Sequence, residues 1–179
     1  MRCLALFLLL AACAEPPAPT PVAPPPVAAP DTAARSGAGL AEAVAGQVVY
    51  VPAYSHVYSG DGDRDVLLTA TLSVRNTDAV RAIRLVGVRY VGSEGQTVRS
   101  YVDALRTLGP LATASYVVAE SDRAGGVGAS FLVEWQADEA VSAPVVQAVM
   151  IGTAGQQGIS FVTDGRVLAE ADGPRAVQP

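Results

Sequence analysis

The sequence predicts an all-β protein, a single antiparallel β-sandwich that follows a disordered proline-rich linker. Apolar and polar residues alternate with a period of two over several windows rich in valine, threonine and aromatic residues, as in strands with one buried face. Turn-forming residues separate these windows. Roughly 130 residues follow the linker, a length that suits one domain with a single core.

The N-terminal residues have the features of a lipoprotein signal peptide. Met1 and Arg2 give a positive start, an apolar run follows, and Leu10-Ala11-Ala12-Cys13 sets two small residues directly before a cysteine. The apolar stretch of about a dozen residues is shorter than the ~20 that span a bilayer as a helix. We therefore expect removal of residues 1–12 and lipidation of Cys13. The alternative is an ordinary secretory peptide that is cut nearby.

Lipid on Cys13 would anchor the mature chain to a membrane, because two or more acyl chains hold firmly without a spanning helix. Alanine follows this cysteine instead of aspartate, which favours the outer membrane, facing the periplasm. Loss of Cys3 with the signal leaves no thiol in the folded part, so disulfides, thiol catalysis and cysteine metal sites are excluded. His56 is the only histidine, and we expect neither a metal nor a cofactor.

Residues 13–39 form the predicted linker, with eight prolines among alanine, threonine and valine. This composition favours extended polyproline II at ~3.1 Å per residue, so the linker could hold the domain up to roughly 80 Å from the bilayer. A PxxP ligand for a partner is the alternative. Residues 40–170 form the expected domain, and residues 171–179 a flexible tail. Acidic residues exceed basic ones, which argues against nucleic-acid binding.

Alternation marks the strands along the domain. Residues 68–75 are the clearest, with Leu68, Ala70 and Leu72 on one face and threonines and serine on the other. A turn at residues 76–78 ends this strand, and we expect residues 83–91 to pair back against it. Further strands are expected at residues 47–53, 97–102, 115–120, 129–137, 145–152 and 158–162, with a short return at 166–168.

Turn signals and strand count together indicate the topology. Ser93-Glu94-Gly95 is expected to form a hairpin turn, and Gly109-Pro110 and Ala143-Pro144 interrupt the chain where a ladder could not continue. About eight short strands favour an immunoglobulin-like sandwich. A small β-barrel is the alternative. Only residues 41–46 look locally helical.

The most polar and aromatic segment of the domain, residues 54–65, is expected to be a loop. Asp61, Asp63 and Asp65 have the first three spacings of a calcium loop, but Val66 and Leu72 replace its glycine and its final glutamate. A solvated turn, satisfied by the intervening arginine, is therefore favoured over a calcium site.

His56 stands between Ser55 and Asp61, as a hydrolase could use them, but no nucleophile motif accompanies it. We expect His56 to stabilise its loop, and we name no catalytic residue. Residues 120–128 combine Glu120 and Asp122 with three glycines, which favours a flexible hairpin or bulge loop. Paired carboxylates that act on a glycan are the alternative.

Two more segments complete the domain. Phe131, Val133 and Trp135 alternate along one strand, which predicts a shared core face, with Glu134 on the opposite side. Residues 152–161 form a long polar turn between two apolar strands. Its amide side chains, Gln156 and Gln157, could recognise a polar ligand or stay in water.

Four segments resemble the bacterial DUF3124 family: residues 49–60 (VYVPAYSHVYSG), 68–78 (LTATLSVRNTD), 131–135 (FLVEW) and 150–161 (MIGTAGQQGISF). The resemblance spans about residues 48–168. It implies a single domain of unknown function in exported proteins, with no established catalytic residues. It also emphasises the loops at residues 54–60, 120–128 and 155–158.

If strand ends bring these loops together, they form a polar surface that carries tyrosines. We expect a non-catalytic envelope module that binds an envelope protein or a glycan there. The alternative is an envelope hydrolase with His56 and the loop carboxylates as acid/base groups. The candidate binding residues are Tyr54, His56, Tyr58, Asp61, Asp63, Glu120, Asp122, Gln156 and Gln157.

Overall fold

The structure, a computed structural model, describes residues 40, 43–153 and 158–171 of the chain. The predicted signal peptide, Cys13 and the whole linker lie outside these residues, as do Gln156, Gln157 and the tail beyond residue 171. No helix within the described residues is long and apolar enough to cross a membrane.

Twelve strands form in the described part of the chain. They are β1 (Ala45–Pro52), β2 (His56–Ser59), β3 (Arg64–Leu67), β4 (Thr69–Arg75), β5 (Ile83–Val91), β6 (Thr97–Val102), β7 (Arg106–Leu108), β8 (Thr113–Val118), β9 (Ser130–Ala137), β10 (Val145–Gly152), β11 (Ile159–Asp164) and β12 (Arg166–Glu170). Every strand expected from alternation is present, with ends shifted by a few residues. Three short strands, β2, β3 and β7, were not predicted.

The strands form two main antiparallel sheets that enclose one core. The first sheet has the order β12-β1-β9-β5-β6, with β7 also paired to β5, and the second has the order β11-β10-β4-β8. Both described sheets end in edge strands instead of closing on themselves. The prediction of an all-β sandwich is therefore confirmed over the small-barrel alternative.

The central pairs follow the immunoglobulin plan, while the flanking strands depart from it. β4 pairs with β8 in one sheet and β5 with β9 in the other, as strands B and E, and C and F, do in that plan. There the first strand lies beside B and the last beside F. Here the first strand, β1, flanks β9 and the late strand β10 flanks β4.

The expectation that residues 83–91 pair back against residues 68–75 is wrong, because β4 and β5 lie in different sheets. The buried Asn76 directs the chain from one layer to the other. Its Nδ2 atom donates to the carbonyls of Arg81 (2.8 Å), Leu108 (3.2 Å) and Gly109 (2.9 Å). This side chain holds residues 76–82 in a crossover, whereas a tight hairpin would have kept them in one sheet.

The expected loop at residues 54–65 is a hairpin for most of its length, formed by β2 and β3. Val57 and Val66 lie opposite each other in this hairpin and pack against the core, which explains why so polar a segment forms strands. Only residues 60–63 form the turn, where Gly60 and Gly62 have positive φ angles of 62° and 87°.

Two smaller expectations also change. β1 begins at Ala45, so residues 45 and 46 belong to a strand and not to a helical turn. Trp135, Val133 and Phe131 fill the core as predicted, but Glu134 on the opposite face is also buried. It lies in the central strand β9, between Val48 of β1 and Gly87 of β5.

Different contacts connect the two sheets along the two lateral sides of the sandwich. On one side the chain passes from β11 to β12 at Gly165, whose N–H donates to the carbonyl of Val146 (2.9 Å). On the other side, side chains bridge the sheets. The hydroxyl of Tyr101 in β6 donates to the carbonyl of Val117 in β8 (2.9 Å), and Arg106 in β7 donates to the hydroxyl of Tyr116 (3.0 Å).

Candidate functional site

The loops that the sequence singled out lie at one end of the sandwich, which we call the distal end. It consists of the β2–β3 hairpin, the β5–β6 turn at residues 92–96 and the β8–β9 loop at residues 119–129. The chain enters the domain at the opposite, basal end, where β1 begins. Eight residues of β1 separate the two ends, a length of roughly 25 Å.

Two serines join the distal segments to one another. The hydroxyl of Ser93 donates to the carbonyl of Gly125 (2.9 Å) and accepts from the N–H of Gly128 (2.9 Å). Both the N–H and the hydroxyl of Ser55 donate to the carbonyl of Gly126, at 3.3 and 3.1 Å. The β8–β9 loop connects the two sheets, so it is not the flexible hairpin that its glycines predicted.

The glycines of this loop make room for side chains that pack beneath it. A Cβ atom at Gly125 would lie 1.9 Å from the hydroxyl oxygen of Tyr90, and one at Gly126 would lie 2.6 Å from that of Ser93. Gly126 also has a φ of 76°, which few other residues adopt. Close packing therefore explains this glycine-rich segment without a bound anion.

Buried Tyr90 sits at the centre of this end. Its hydroxyl has no hydrogen bond of acceptable geometry to the described residues. The pKa of Tyr90 is raised to about 12, chiefly by burial and also by the charges of Asp122 and Tyr101, while the nearby Ser55 hydroxyl and Arg99 oppose the rise. Tyr90 therefore stays neutral at physiological pH and acts as a packing group.

Ser55 is hydrogen-bonded to the adjacent His56. The Nδ1 atom of His56 lies 3.0 Å from the hydroxyl oxygen of Ser55, and the tautomer of the ring decides which of the two atoms donates. Ser55 is 0% exposed, so it cannot reach a substrate as a nucleophile.

The aromatic residues of the hairpin divide into a surface pair and a core residue. His56 and Tyr58 alternate on β2 and contact each other edge to face, with ring centroids 5.7 Å apart. Tyr58 is 60% exposed. Tyr54 instead packs edge-on against Phe161 (5.6 Å) as part of the core, so it contributes little surface to a binding site.

Two of the carboxylates at the distal end form ion pairs that hold its segments together. Asp122 pairs with Arg99 (2.9 Å) and accepts from the N–H of Ala124 (3.0 Å), so it holds the β8–β9 loop in shape. Asp65 pairs with Arg123, which ties the hairpin to that loop; the predicted partner in the turn was Arg64. The described residues contain no group of three or more potential metal ligands.

Exposed carboxylates complete the distal surface. Asp61 and Asp63 are exposed in the hairpin turn, and Glu120 is exposed where β8 ends. The distal end as a whole is acidic, with six carboxylates against two guanidinium groups among its described residues. They are Asp61, Asp63, Asp65, Glu94, Glu120 and Asp122 against Arg64 and Arg123, and Arg99 reaches Asp122 from β6. Sequence reasoning missed the two arginine ties and both serines, because their partners are tens of residues away along the chain.

A second polar cluster, which the sequence did not single out, lies at the basal end. The carboxylate of Asp78 accepts from the N–H groups of Val80 (2.9 Å) and Arg81 (2.8 Å), and these two bonds lower its pKa. An open cleft of about 480 Å³ lies beside it. The charges there are paired with each other, Arg81 with Glu139 (2.8 Å) and Arg84 with Asp138, so the cluster serves the crossover.

Comparison with known proteins gives a family and a distant structural likeness. The family model described as "Protein of unknown function (DUF3124)" matches residues 46–168. Among curated proteins, none matches the chain. A solved structure from Thermotoga maritima, titled "Crystal Structure of Thermotoga maritima 1070", is similar at 10% identity with a TM-score of 0.40. The alignment covers 67% of this chain and 92% of that one.

Proposed function

The chain belongs to the DUF3124 family of proteins of unknown function, and we propose that it is a lipid-anchored envelope protein with a non-catalytic binding surface. In this proposal Cys13 carries the lipid, and residues 13–39 tether the domain to the outer membrane on its periplasmic side. The distal end binds an envelope protein or a glycan. The exposure and the contacts of the distal residues support this role, and the family description does not.

The observation that carries the proposal is an aromatic pair, half-buried His56 and exposed Tyr58, on an acidic end of the fold. His56 and Tyr58 are presented by a hairpin that the Asp65–Arg123 pair ties to the β8–β9 loop. Aromatic side chains on a preorganised surface are typical anchors of interfaces, because they bury much area at low entropic cost. The surface lies at the end opposite to the chain entry, which points it away from the proposed anchor.

The chemistry of this surface favours a partner rich in hydrogen-bond donors. Asp61, Asp63 and Glu120 offer exposed carboxylates, and His56 presents a ring whose nitrogens can accept or donate a hydrogen bond. Exposed Tyr58 can stack on a sugar ring or on a guanidinium group. Basic protein segments and glycan hydroxyls both satisfy these requirements.

The hydrolase alternative has no observation in its favour. The hydroxyl nearest to His56 is the buried Ser55, which already donates to Gly126. Of the carboxylates considered as acid/base groups, Asp122 is held in an ion pair with Arg99.

Crosslinking in intact cells tests the binding surface. We expect the Tyr58→Ala variant of the full-length chain to recover its crosslinked partners at least about tenfold less than the native protein, as for loss of an interface anchor. Leu105→Ala is the matched control, since Leu105 is 61% exposed in the β6–β7 turn, away from the distal end. Equal recovery from both variants, with both folded, would rule out the distal surface.

A separate measurement tests the anchor. Cells grown with a clickable palmitate analogue should label the native protein, and the Cys13→Ser variant should lose both the label and its place in the membrane fraction. A Cys13→Ser variant that keeps label or membrane association would contradict lipidation at this residue. The two experiments are independent, because the Tyr58→Ala variant and its control both retain Cys13.

A further inference from the structure

The two main sheets present four edges in the described part of the chain, and these edges differ in protection. An unprotected edge strand offers unpaired N–H and C=O groups to another strand. Proteins block such pairing with charged residues, bulges, very short strands or covering side chains. The edges here are β12 and the β6–β7 side in the first sheet, and β8 and β11 in the second.

Three of these edges are blocked. β12 has Arg166 and Glu170 at its ends, and its pairing with β1 contains a bulge. The β6–β7 edge has two register shifts against β5, and β7 is only three residues long. On β8, the carbonyl of Val117 is already occupied by the hydroxyl of Tyr101.

Within the described residues, the fourth edge, β11, has no bulge and no covering side chain, and its only charge stands at its last residue. Its residues Ile159, Ser160, Phe161, Val162 and Thr163 are uncharged, and the strand contains no proline. Its pairing with β10 continues over all six residues without a shift. The one charged residue, Asp164, stands at the end of the strand and accepts from the side chain of Gln147 (2.7 Å).

The outer face beside this edge is unusually apolar for a sheet face in contact with solvent. Val162, Val149, Thr71 and Val117 lie opposite one another in turn across β11, β10, β4 and β8. Val162 is 56% exposed and Val117 50%. Polar residues are the usual occupants of such positions in an antiparallel sheet. This row, which we call the apolar row although Thr71 interrupts it, therefore reaches the open edge at β11.

We propose that β11 pairs antiparallel with β11 of a second copy of this chain. The pairing joins the two four-stranded sheets into one of eight strands around a two-fold axis at Val162. In this register Val162 faces Val162 of the other copy, and Ser160 faces Asp164. The apolar row then continues unbroken from one copy into the next.

The strand is complementary to itself, which favours a second copy over a foreign strand. In the register centred on Val162, no carboxylate lies opposite another carboxylate, so there is no repulsion between like charges. The register also pairs two β-branched valines, a favourable cross-strand contact. In this register the outer faces of the two copies lie on the same side of the joined sheet. A shift by one residue would put the outer face of one copy beside the inner face of the other. One pair of six-residue edges is a small interface, so the dimer is reversible and depends on concentration.

A designed disulfide tests the register. The chain from residue 13 onward with Cys13→Ser contains no thiol, so Val162→Cys introduces the only one. Opposed residues of antiparallel strands have Cα atoms about 4.5–5.5 Å apart, within the range that a disulfide spans. We expect mild oxidation to link Val162→Cys at least about tenfold faster than the control Ser115→Cys, on the same face of the blocked strand β8. Equal rates would overturn the register.

Sedimentation of the same thiol-free chain tests the edge without a crosslink. Its average mass should rise with concentration toward that of a dimer. Val162→Lys should abolish the rise, while the matched control Val117→Lys should retain it. A native chain that stays monomeric at every accessible concentration would overturn the proposal. So would equal association of the two lysine variants, provided that circular dichroism shows both to be folded.

Discussion

The hydroxyl oxygen of Tyr90 lies directly against the backbone of Gly125, so close that a Cβ atom at residue 125 would be 1.9 Å away from it. The contact sets the height of the β8–β9 loop above the core. Ser55 and Ser93 then hold the loop down from either side. The shape of the distal surface thus depends on Gly125, because only a residue without a side chain leaves room for the hydroxyl of Tyr90 beneath the loop.

Gly125→Ala should therefore destabilise the protein. The added methyl group meets both the hydroxyl oxygen and the ring carbon Cζ of Tyr90, which is fixed in the core, so the loop must move. We expect a loss of about 3 kcal/mol in the free energy of unfolding, at the upper end for overpacking. Urea unfolding measures it. Gly109→Ala, where a Cβ meets nothing within 4 Å, should change stability little, and a similar loss there would contradict the packing explanation.

Tyr90 should also make the fold sensitive to alkaline pH. Its pKa of about 12 in the folded protein exceeds the value of about 10 for an unfolded chain. The unfolded state therefore releases the proton first, and the stability that Tyr90 contributes is lost as pH rises from about 10 toward 12. At pH 11 the expected loss relative to pH 8 is about 1 kcal/mol.

Tyr90→Phe should remove this part of the alkaline loss. Its stability at pH 8 should stay within about 1 kcal/mol of the native value, because no described residue gives the hydroxyl a hydrogen bond of good geometry to lose. Lysine is absent from the sequence, so no lysine contributes to the alkaline loss. If the native protein and the variant lose stability in parallel between pH 8 and 11, Tyr90 is not the responsible group.

Asn76→Ala should be among the more damaging single changes at the basal end. It removes three donated hydrogen bonds and the one that Asn76 accepts from the N–H of Asp78 (3.0 Å). We expect a loss of about 3 kcal/mol, because several hydrogen bonds are lost together and two of them, to the carbonyl of Leu108 and from the N–H of Asp78, are buried. The exposed neighbour Thr77 makes one hydrogen bond, to Ala143, and Thr77→Ala should cost under about 1 kcal/mol. Equal losses for the two variants would contradict the role of Asn76 in the crossover.

Asp78 should contribute to stability only when it is ionised. The N–H groups of Val80 and Arg81 lower its pKa below the ordinary 3.8. The stabilisation is therefore complete above that value and is lost as pH falls through the lower, folded pKa. Thermal unfolding from pH 6 down to about 3 should show a steeper decline for the native protein than for Asp78→Asn. Parallel declines would assign the acid sensitivity to other carboxylates.

Local alternation was enough to locate most of the strands. The alternation around Leu72 reflects one buried strand face, and so does the alternation of Phe131, Val133 and Trp135. This pattern is the same whichever strand is the pairing partner. β7 escaped because three residues hold too little alternation to detect. β2 and β3 escaped because polar residues outnumber apolar ones, such as Val57 and Val66, over the two strands together.

Pairing could not be read from the same pattern. Alternation shows that a strand has one buried face, but it does not identify the neighbour. The hydrogen bonds of Asn76 send β5 into the other sheet, and they connect residues more than 30 positions apart. The expectation of a simple β4–β5 hairpin failed for this reason.

The candidate site shows the same division. The sequence by itself determined its chemistry, namely a segment with His56, Tyr58 and carboxylates, and a glycine-rich loop beside Glu120 and Asp122. Only the tertiary structure decided which of these residues face solvent, because Ser55, Arg99 and Arg123 reach them across long separations in the chain. Side-chain type is a local property of the sequence. Exposure and partnership depend on where two sheets bring distant strand ends together.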